Sequence, residues 1–554
     1  MPIPHCPHTS VFASGLHDAP APQHTARNMQ VFHGSVISCD QHDHLFQYLV
    51  EDQGRIVHTG DELPEAYRGA PIVELGQHAL VPAFGDGHIH FSNWALIAGA
   101  FLDVRQARDF GDLGALIREH AARRPAGKVL AAFGASRHSV REQRLITRAE
   151  LDAIESELPV YIICYDGHSS IGNSRLVELM PDRIRRMRGF DADTGLMLHE
   201  AYYGATDHVS GSVPALTLLR SVASGYDRLA AAGIGLIHAV EGIGFPRDLD
   251  VTMVSHIARA MARRKGFQTR IYFQTMDVAK VRKRKLPRIG GCFATALDGC
   301  FGVCDAALIE PYAHQPDNKG ILFHSDREVI EFVKQANRAG LQVSMHAIGD
   351  AAVAQALRAF EEAHKDFPRQ DARHVLIHAC LLPPDALERC AKLGVGITLQ
   401  PAFLISPLEP ASWLRELLGS RLDASSPLRS IVQHGIHLSG GSDGPVTLPD
   451  PIEGIYGACN HPYDSGQSVT IPQALKMFTS EVAWMSFDER DRGTLEPGKL
   501  ADMTVLSANP LAWNPKELRK LKVEALYLGG QRYEPGISAV SLLSSVLVGD
   551  RVTL

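Results

Sequence analysis

Strand and helix patterns alternate along residues 321–400, and this alternation constrains the possible fold more than any other feature of the chain. Ser325 and Glu328 form a capping box ahead of an apolar helical face, and Gly340 ends that helix. Strands are predicted over 341–346, 375–378 and 395–400, with helices from about residue 350 and over 383–393. Strand–helix units in series with short loops build a parallel sheet, and this many units favour a barrel. We therefore predict an α/β fold, a distorted TIM (β/α)8 barrel.

Both ends of the chain carry short strand patterns separated by polar turns. These patterns cover residues 29–39, 46–51, 55–58, 503–506 and 523–528, and Gly529-Gly530 forms a hairpin turn. The economical arrangement is one small β-sandwich, built from both ends beneath the barrel. The predicted domains are an N-terminal arm (1–28), the composite β-sandwich (29–79 and 494–535), the barrel (80–493, with an insertion at about 129–215) and a C-terminal tail (536–554).

Two histidines one residue apart, His88 and His90, end an apolar segment that reads as a buried strand. Because a strand alternates its side chains, both imidazoles point the same way. Such a pair at the C-terminal end of a strand can chelate one divalent ion. The pair alone is weak evidence for a metal, since paired histidines also occur as buried, hydrogen-bonded side chains.

Three later strand ends add side chains that can bind a metal. His346 and His378 end two of the predicted strands, and Asp443 ends a third. Taken singly, each histidine could be a satisfied core residue and Asp443 an ordinary N-cap or turn residue. In a barrel, however, the carboxyl ends of the strands meet at one mouth. We therefore predict one metal site, composed of His88, His90, His346, His378 and Asp443.

Composition excludes several other classes. The net charge of -7 argues against nucleic acid as a partner. The nine cysteines are scattered and form no CxxC pair, which suits a reducing compartment better than a disulfide framework. No apolar stretch is long enough to span a membrane, and residues 1–28 lack the pattern of a signal peptide. We expect a cytoplasmic protein that acts on a small molecule, without a nucleic-acid or membrane partner, and we expect a homo-oligomer, specifically a dimer.

The combined motifs resemble the amidohydrolase superfamily, and specifically its amidohydrolase-3 or YtcJ-like branch, from about residue 30 to 510. The motifs that carry the resemblance are Val81-Pro82-Ala83-Phe84-Gly85-Asp86-Gly87-His88-Ile89-His90, Gly167-His168 with Asn173-Ser174, Thr194-Gly195-Leu196 with Glu200, Glu310-Pro311-Tyr312, His346-Ala347-Ile348-Gly349-Asp350, Gly441-Ser442-Asp443-Gly444-Pro445 and Gly493-Thr494-Leu495-Glu496-Pro497-Gly498-Lys499-Leu500-Ala501-Asp502. The resemblance implies a metal-dependent hydrolase with a split β-sandwich.

One position departs from the pattern of the family. Relatives usually carry a lysine four residues before an Asp-Gly, where its carboxylated form bridges two metals. Here Asp298-Gly299 makes that position Ala294, and no lysine lies within 290–298. Cys292 lies two residues before Ala294, so strand alternation puts both on the same face, and a Cys292 thiolate could take the place of the lysine as a ligand. We expect instead that Cys292 packs as a small buried residue. We expect one or two divalent ions of the Zn²⁺ type without a carboxylated lysine, and a mononuclear site is the simpler inference.

The expected chemistry is attack by metal-bound water on the substrate, with Asp443 as the general base that later protonates the leaving nitrogen. His378 acts as a ligand if two ions bind, and otherwise hydrogen-bonds the oxyanion. His168, Asn173 and Trp94, with Asn93 beside it, are candidate substrate-binding residues, although local loop packing explains them equally well.

The leading hypothesis is hydrolysis of a non-peptide C–N bond in an amide, formamide or cyclic amide. The alternative enzyme is a deaminase of an aminated heterocycle on the same mononuclear site. An alternative of another class is a catalytically silent barrel that acts as a binding scaffold, which the presence of all five predicted ligands disfavours. The fold alone does not identify the substrate.

Overall fold

The computed structural model describes residues 29–123 and 128–537, so the predicted arm (1–28) and most of the predicted tail lie outside the described residues. Within these residues the chain forms twenty strands, β1 (Gln30–Ile37), β2 (Leu45–Asp52), β3 (Arg55–Gly60), β4 (Ile72–Pro82), β5 (Phe84–Ile89), β6 (Leu102–Asp103), β7 (Leu130–Ala135), β8 (Val160–Cys164), β9 (Ser169–Gly172), β10 (Leu196–Leu198), β11 (Ile234–Glu241), β12 (Gln268–Phe273), β13 (Arg288–Ala296), β14 (Gln342–Ala347), β15 (Val375–His378), β16 (Gly396–Leu399), β17 (Leu438–Gly440), β18 (Met503–Leu506), β19 (Val523–Leu528) and β20 (Gln531–Arg532).

The α-helices of the same residues are α1 (Phe91–Ala100), α2 (Phe110–Ala121), α3 (Arg148–Ile154), α4 (Ser174–Leu179), α5 (Asp182–Arg185), α6 (His199–Gly211), α7 (Ala215–Ala231), α8 (Leu249–Lys265), α9 (Val278–Lys283), α10 (Asp326–Arg338), α11 (Asp350–Asp366), α12 (Ala386–Leu393), α13 (Ala411–Leu418), α14 (Leu428–Gln433), α15 (Pro451–Cys459), α16 (Ile471–Met477) and α17 (Ser480–Met485). The predicted capping box of Ser325 and Glu328 is present at the start of α10. None of the helices in the described part of the chain has the length and apolarity needed to cross a membrane.

The central sheet is a nearly closed parallel barrel of eight strands, which confirms the predicted fold class. Its order is β5, β11, β12, β13, β14, β15, β16 and β17, so neighbouring barrel strands are also consecutive barrel strands in the sequence. The loop after β17 reaches back to β5, where the amide of Asp443 donates to the carbonyl of His88 (2.8 Å) and the amide of Ser442 donates to Asp86 Oδ1 (2.9 Å). This contact brings the first and last barrel strands together at the mouth.

The barrel core lies between the sheet and the surrounding helices. Ile237, Phe273 and Val343 from the strands, and Leu357 and Phe360 from α11, are almost completely buried there. Removal of such side chains from water is the main favourable contribution to folding, at about 1.5–3 kcal/mol for each fully buried large side chain. A rigid scaffold of this kind fixes the loops at the strand ends.

Strands from both chain ends form one curled seven-stranded sheet in the order β20, β19, β18, β4, β1, β2, β3. The amide of Ile56 on β3 donates to the carbonyl of Lys499 (2.8 Å), so the segment before β18 reaches the opposite edge. The sheet thereby encloses a core of its own that includes Phe32, Leu49 and Met503. The sequence predicted a small β-sandwich built from both chain ends, and the strands of both ends lie in one seven-stranded sheet that folds over its core.

A third sheet of five strands is inserted after α1, in the order β10, β9, β8, β7, β6. Strands β6 to β8 are parallel, and β9 and β10 continue the sheet in antiparallel pairs. Apolar clusters cover this sheet on both faces, one of them shared with α6. The region predicted as an insertion at about 129–215 contains most of this sheet, although β6 and α2 precede it. Its loops lie over the barrel mouth.

Candidate functional site

The two histidines of the His-x-His motif lie at the carboxyl end of β5, where the chain turns into α1. His88 is within the strand, and His90 is the residue before the helix. Asp86 Oδ1 accepts hydrogen bonds from the amides of His88 (3.1 Å) and Ser442 (2.9 Å). Burial raises the pKa of Asp86 to about 6. Asp86 therefore positions the His88 backbone against the loop that carries Asp443.

The other predicted ligands come from three further strand ends. His346 lies on β14, His378 is the last residue of β15, and Asp443 follows β17. His378 has a φ of 71° and Asp443 a φ of 53°, which non-glycine residues rarely adopt. Backbone conformations of this cost cluster at functional sites, where the surrounding structure holds them in place.

All five predicted ligands meet in one buried cluster. Asp443 Oδ1 lies 3.0 Å from His88 Nε2 and 3.2 Å from His90 Nε2. The ring of His378 is 5.6 Å from that of His88 and 4.5 Å from that of His346. His346 Nε2 faces the carbonyl of Gly299 at 3.1 Å, so Nε2 donates and Nδ1 keeps the lone pair.

The electrostatics of the cluster suit a metal ion. Burial lowers the pKa of His88, lowers the pKa of His378 to about 4 and holds the pKa of His346 well below its usual range. Burial alone would raise the pKa of Asp443, but hydrogen bonds with His88 and His90 hold it well below its usual value. His88, His346 and His378 therefore present neutral imidazoles, and Asp443 presents an ionised carboxylate, at neutral pH, and these are the protonation states that metal binding requires.

Cys292 also belongs to this cluster. Its Sγ lies 3.3 Å from His88 Nε2 and 3.7 Å from His378 Nε2. One ligand atom from each of Cys292, His88, His378 and Asp443 falls within 4.8 Å of the others. Beneath these polar groups Cys292 packs against Val375, Ile377 and Met485, so it has the expected apolar neighbours as well.

Ala294, the residue assigned to the lysine position, lies elsewhere. It lines a second cavity, together with polar groups such as Arg188, Asp305 and His324. The sequence argument placed Cys292 and Ala294 on one face by strict strand alternation. The register of β13 against β14 shifts between Gly291 and Ala296, so this alternation does not hold.

A cavity opens from the cluster of histidines and Asp443. Its walls are rich in aromatic residues that come from the barrel, the inserted sheet and the segment after β16, and these residues are Phe101, Phe133, Tyr165, Tyr202, Tyr203, Phe293, Phe301, Phe403 and Tyr463. No lysine or arginine is found among its lining residues within the described chain. His168, Tyr203 and Phe293 line both cavities and separate them.

Besides Asp443, two carboxyl groups line this cavity, those of Asp166 and Glu409. Burial, with Asp166 nearby, raises the pKa of Glu409 to about 7. The hydroxyl of Tyr165 contacts Glu409 Oε1 at 3.5 Å. Burial also raises the pKa of Asp166, which accepts hydrogen bonds from its own turn at the amides of His168 and Ser169. The cavity thus has an apolar wall and a polar side that carries these two carboxyl groups.

Of the predicted substrate-binding residues, His168 lines the cavity, and its ring is 6.1 Å from that of His346. Asn93 also lines it. Trp94 is only 5% exposed and packs against Phe91 beneath the cavity wall. Trp94 lines neither cavity and belongs to the hydrophobic core of the barrel.

Asn173 is fully buried and lies outside both cavities. Its Oδ1 accepts from the amides of Val160 (2.9 Å) and Leu176 (3.0 Å), and its Nδ2 donates to the carbonyls of Glu155 and Leu158. These four bonds use the whole amide to cap α4 and fix the inserted sheet. They leave no group free for a substrate.

Sequence reasoning missed Gln400, whose Oε1 lies 2.7 Å from His378 Nδ1, and it missed Glu409 and Phe293, which line the cavity. Gln400 follows β16 directly, so its place at a strand end was an available signal. Glu409 lies in the segment between β16 and α13, and no local pattern distinguishes it from an ordinary loop glutamate.

The geometry agrees with comparisons to known proteins. The model of the amidohydrolase family matches residues 72–533. The chain belongs to the amidohydrolase family. The amidohydrolase YtcJ of Bacillus subtilis (strain 168) is 26% identical over 90% of this chain and 98% of its own length. The N-substituted formamide deformylase of Arthrobacter pascens is 23% identical over 92% of this chain and 98% of its own length.

A solved structure gives the same result. A metal-dependent hydrolase from Pyrococcus furiosus aligns with a TM-score of 0.70 and 25% identity, over 87% of this chain and 100% of that chain. This amidohydrolase is therefore a metal-dependent hydrolase, as the sequence resemblance implied.

Proposed function

We propose that this amidohydrolase hydrolyses a non-peptide C–N bond, in an amide or formamide whose nitrogen carries an apolar, aromatic substituent. The observation that carries the proposal is the placement of the His–Asp cluster at the base of an aromatic cavity. We assign the metal, Zn²⁺ or a similar ion, to His88, His90, His346, His378 and Asp443. When bound, such an ion polarises the substrate carbonyl and makes water a nucleophile at neutral pH.

Asp443 is the proposed general base. Its carboxylate is ionised at neutral pH, because hydrogen bonds hold its pKa low. It contacts both histidines of the His-x-His pair and lines the cavity, where it can take a proton from the attacking water. The same carboxyl group then delivers that proton to the leaving nitrogen, and this transfer lets the amine depart.

His378 is better suited to hold a metal than to donate to an oxyanion. Its Nδ1 faces Gln400 Oε1 at 2.7 Å, and the Gln400 amide nitrogen faces the carbonyl of Thr398 at 3.5 Å. The amide oxygen accepts, so Nδ1 carries the proton and Nε2 keeps its lone pair. Burial lowers the pKa of His378 to about 4, so Nε2 stays unprotonated at neutral pH.

The cavity limits the substrate class. Its aromatic walls favour an apolar group beside the scissile bond, since apolar and aromatic lining is typical of small-molecule sites. The carboxyl groups of Asp166 and Glu409, without a lysine or arginine in the described lining, disfavour a negatively charged substrate. The name of the Arthrobacter pascens relative, an N-substituted formamide deformylase, agrees with this class.

The test is a product analysis with protein purified without chelator. The substrates are N-arylmethyl formamides, the matching acetamides, cyclic amides and aminated heterocycles, and formate, amine and ammonia are each measured. We expect amine and carboxylate in equal amounts, with loss of turnover in chelator and recovery with Zn²⁺. Ammonia without a carboxylate product would establish a deaminase instead. Protein that holds no metal and turns over none of the four classes would indicate a binding scaffold.

A further inference from the structure

The thiol of Cys292 occupies a position between two metal-competent imidazoles. Its Sγ is 3.3 Å from His88 Nε2 and 3.7 Å from His378 Nε2, and the side chain is buried. Asp443 completes the group within 4.8 Å, and its Oδ1 has no donor other than the two neighbouring histidines in the described structure. A sulfur, two imidazole nitrogens and a carboxylate oxygen converge here, and proteins bind zinc through atoms of these types.

The local backbone explains why Cys292 reaches this place. Gly290 and Gly291 have φ values of 100° and 130°, and a Cβ on Gly290 would lie 2.0 Å from the carbonyl oxygen of Ser344. The strand therefore needs glycine at position 290 in order to approach β14 so closely. Phe293 has a φ of 45°, which is not the conformation of a regular strand residue. This irregular segment aims Cys292 into the barrel and sends Ala294 to the second cavity.

We propose that the Cys292 thiolate is a direct ligand of the metal in this enzyme, at the site held by His88, His378 and Asp443. The proposal rests on the metal dependence of the proposed function but not on its substrate. On metal binding the S–H bond breaks, a sulfur–metal bond forms and the proton leaves to solvent, with no change of oxidation state. Metals deprotonate coordinating thiols outright, even where burial favours the neutral thiol.

A thiolate ligand has consequences that a packed thiol lacks. Soft sulfur favours Zn²⁺ and Co²⁺ over Mg²⁺ and Mn²⁺, so the metal preference follows from Cys292. Because the ligand is a thiolate and not a carboxylated lysine, metal loading is independent of bicarbonate. These two properties can be measured without any substrate.

The deciding experiment is an absorption spectrum of the full-length apo-protein reconstituted with Co²⁺. A thiolate ligand gives an intense sulfur-to-cobalt charge-transfer band in the near ultraviolet, whereas nitrogen and oxygen ligands give only weak visible bands. We expect the intense band in the wild type with and without added bicarbonate. We expect its loss in Cys292→Ser, with a fall in Co²⁺ affinity of at least about 10-fold, since loss of even an outer partner costs about 10–100-fold.

Cys390→Ala is the matched control, because Cys390 is a buried free thiol on α12 outside the metal cluster. It should keep the band. A wild type that binds Co²⁺ but shows no intense band overturns the proposal, even if Cys292→Ser does not fold. An intense band without hydrolysis of any amide supports the ligand and refutes only the proposed function.

Discussion

Gln400 Oε1 lies 2.7 Å from Nδ1 of His378, with both side chains buried at the end of neighbouring barrel strands. This contact fixes the tautomer and the ring orientation of His378, so that Nε2 presents its lone pair to the cluster with His88 and Cys292. Gln400 is a positioning residue, because it acts through the histidine.

Replacement of Gln400 should weaken metal binding. Gln400→Leu removes the acceptor and should lower Zn²⁺ affinity about 10–100-fold, the usual effect of losing a partner of a ligating histidine. Gln400→Glu keeps an acceptor and should retain most of the affinity. The Zn²⁺ affinity of both variants is measured by competition with a chromophoric chelator. Equal affinity in Gln400→Leu and the wild type would show that His378 needs no such support.

Replacement of the imidazoles themselves should have a larger effect. His88→Ala, His90→Ala and His346→Ala should each lose most of the bound metal and all detectable turnover, because each is assigned a direct bond to the metal. His434→Ala is the control, because His434 is exposed and its Nδ1 contacts the carbonyl of Ser430, outside the site. Elemental analysis of the purified proteins gives the answer. Full metal content in all three variants would contradict the ligand assignment.

The barrel and the strand-end ligands were predictable because their signals are local. Strand β14, which carries His346, follows from the apolar pattern, and helix α10 follows from its periodicity and from the capping box of Ser325 and Glu328. A barrel then requires the strand ends to meet. The place of Cys292 was not predictable, since it depends on a bulge that β13 forms against β14. The direction of Trp94 depends on how α1 packs against α7, which no local pattern encodes.

The cavity was beyond sequence reasoning for a related reason. Tyr165 and Glu409 are separated by 244 residues, and they meet because the inserted sheet folds over the barrel mouth. Such contacts between distant loops are set by packing of whole elements. The family resemblance located the motif that contains His168 and Asn173, but it did not separate the roles of the two residues. Of the two, His168 lines the cavity and Asn173 does not.

Removal of the proposed base should separate metal binding from turnover. Asp443→Asn cannot accept the proton of the attacking water, so kcat should fall at least about 100-fold, the lower range of acid–base catalysis. Much of the metal should remain, since the histidines are intact. Asp464→Asn, at a helix start outside the cavity, is the matched control. Near-normal kcat in Asp443→Asn would mean that another group serves as the base.

Glu409 should set the charge preference of the cavity. Glu409→Gln should reduce the kcat/KM advantage of an amine-bearing amide over its neutral analogue about 10-fold, the size expected for a charge about 10 Å away at an effective dielectric constant of about 20. Because the pKa of Glu409 is raised to about 7, the wild-type advantage should grow between pH 6 and 8 and stay flat in the variant. Glu416→Gln, exposed on α13, should behave as the wild type. An unchanged preference in Glu409→Gln would exclude this carboxyl group from substrate recognition.

His374 should make the protein lose stability in acid. Its Nδ1 accepts from the amide of Val343 (3.1 Å), its ring stacks on Phe360, and burial lowers its pKa from 6.5 to about 3. Below pH 6.5 the unfolded chain takes up a proton that the folded chain refuses, so the free energy of unfolding falls as pH drops toward 3, by about 1.4 kcal/mol per pH unit. His374→Asn keeps an acceptor without titrating. The difference in unfolding free energy between pH 7.5 and 5.0, from urea titrations of metal-loaded protein, should be about 2 kcal/mol smaller in this variant than in the wild type. An identical pH dependence in both proteins would show that His374 is protonated in the folded state.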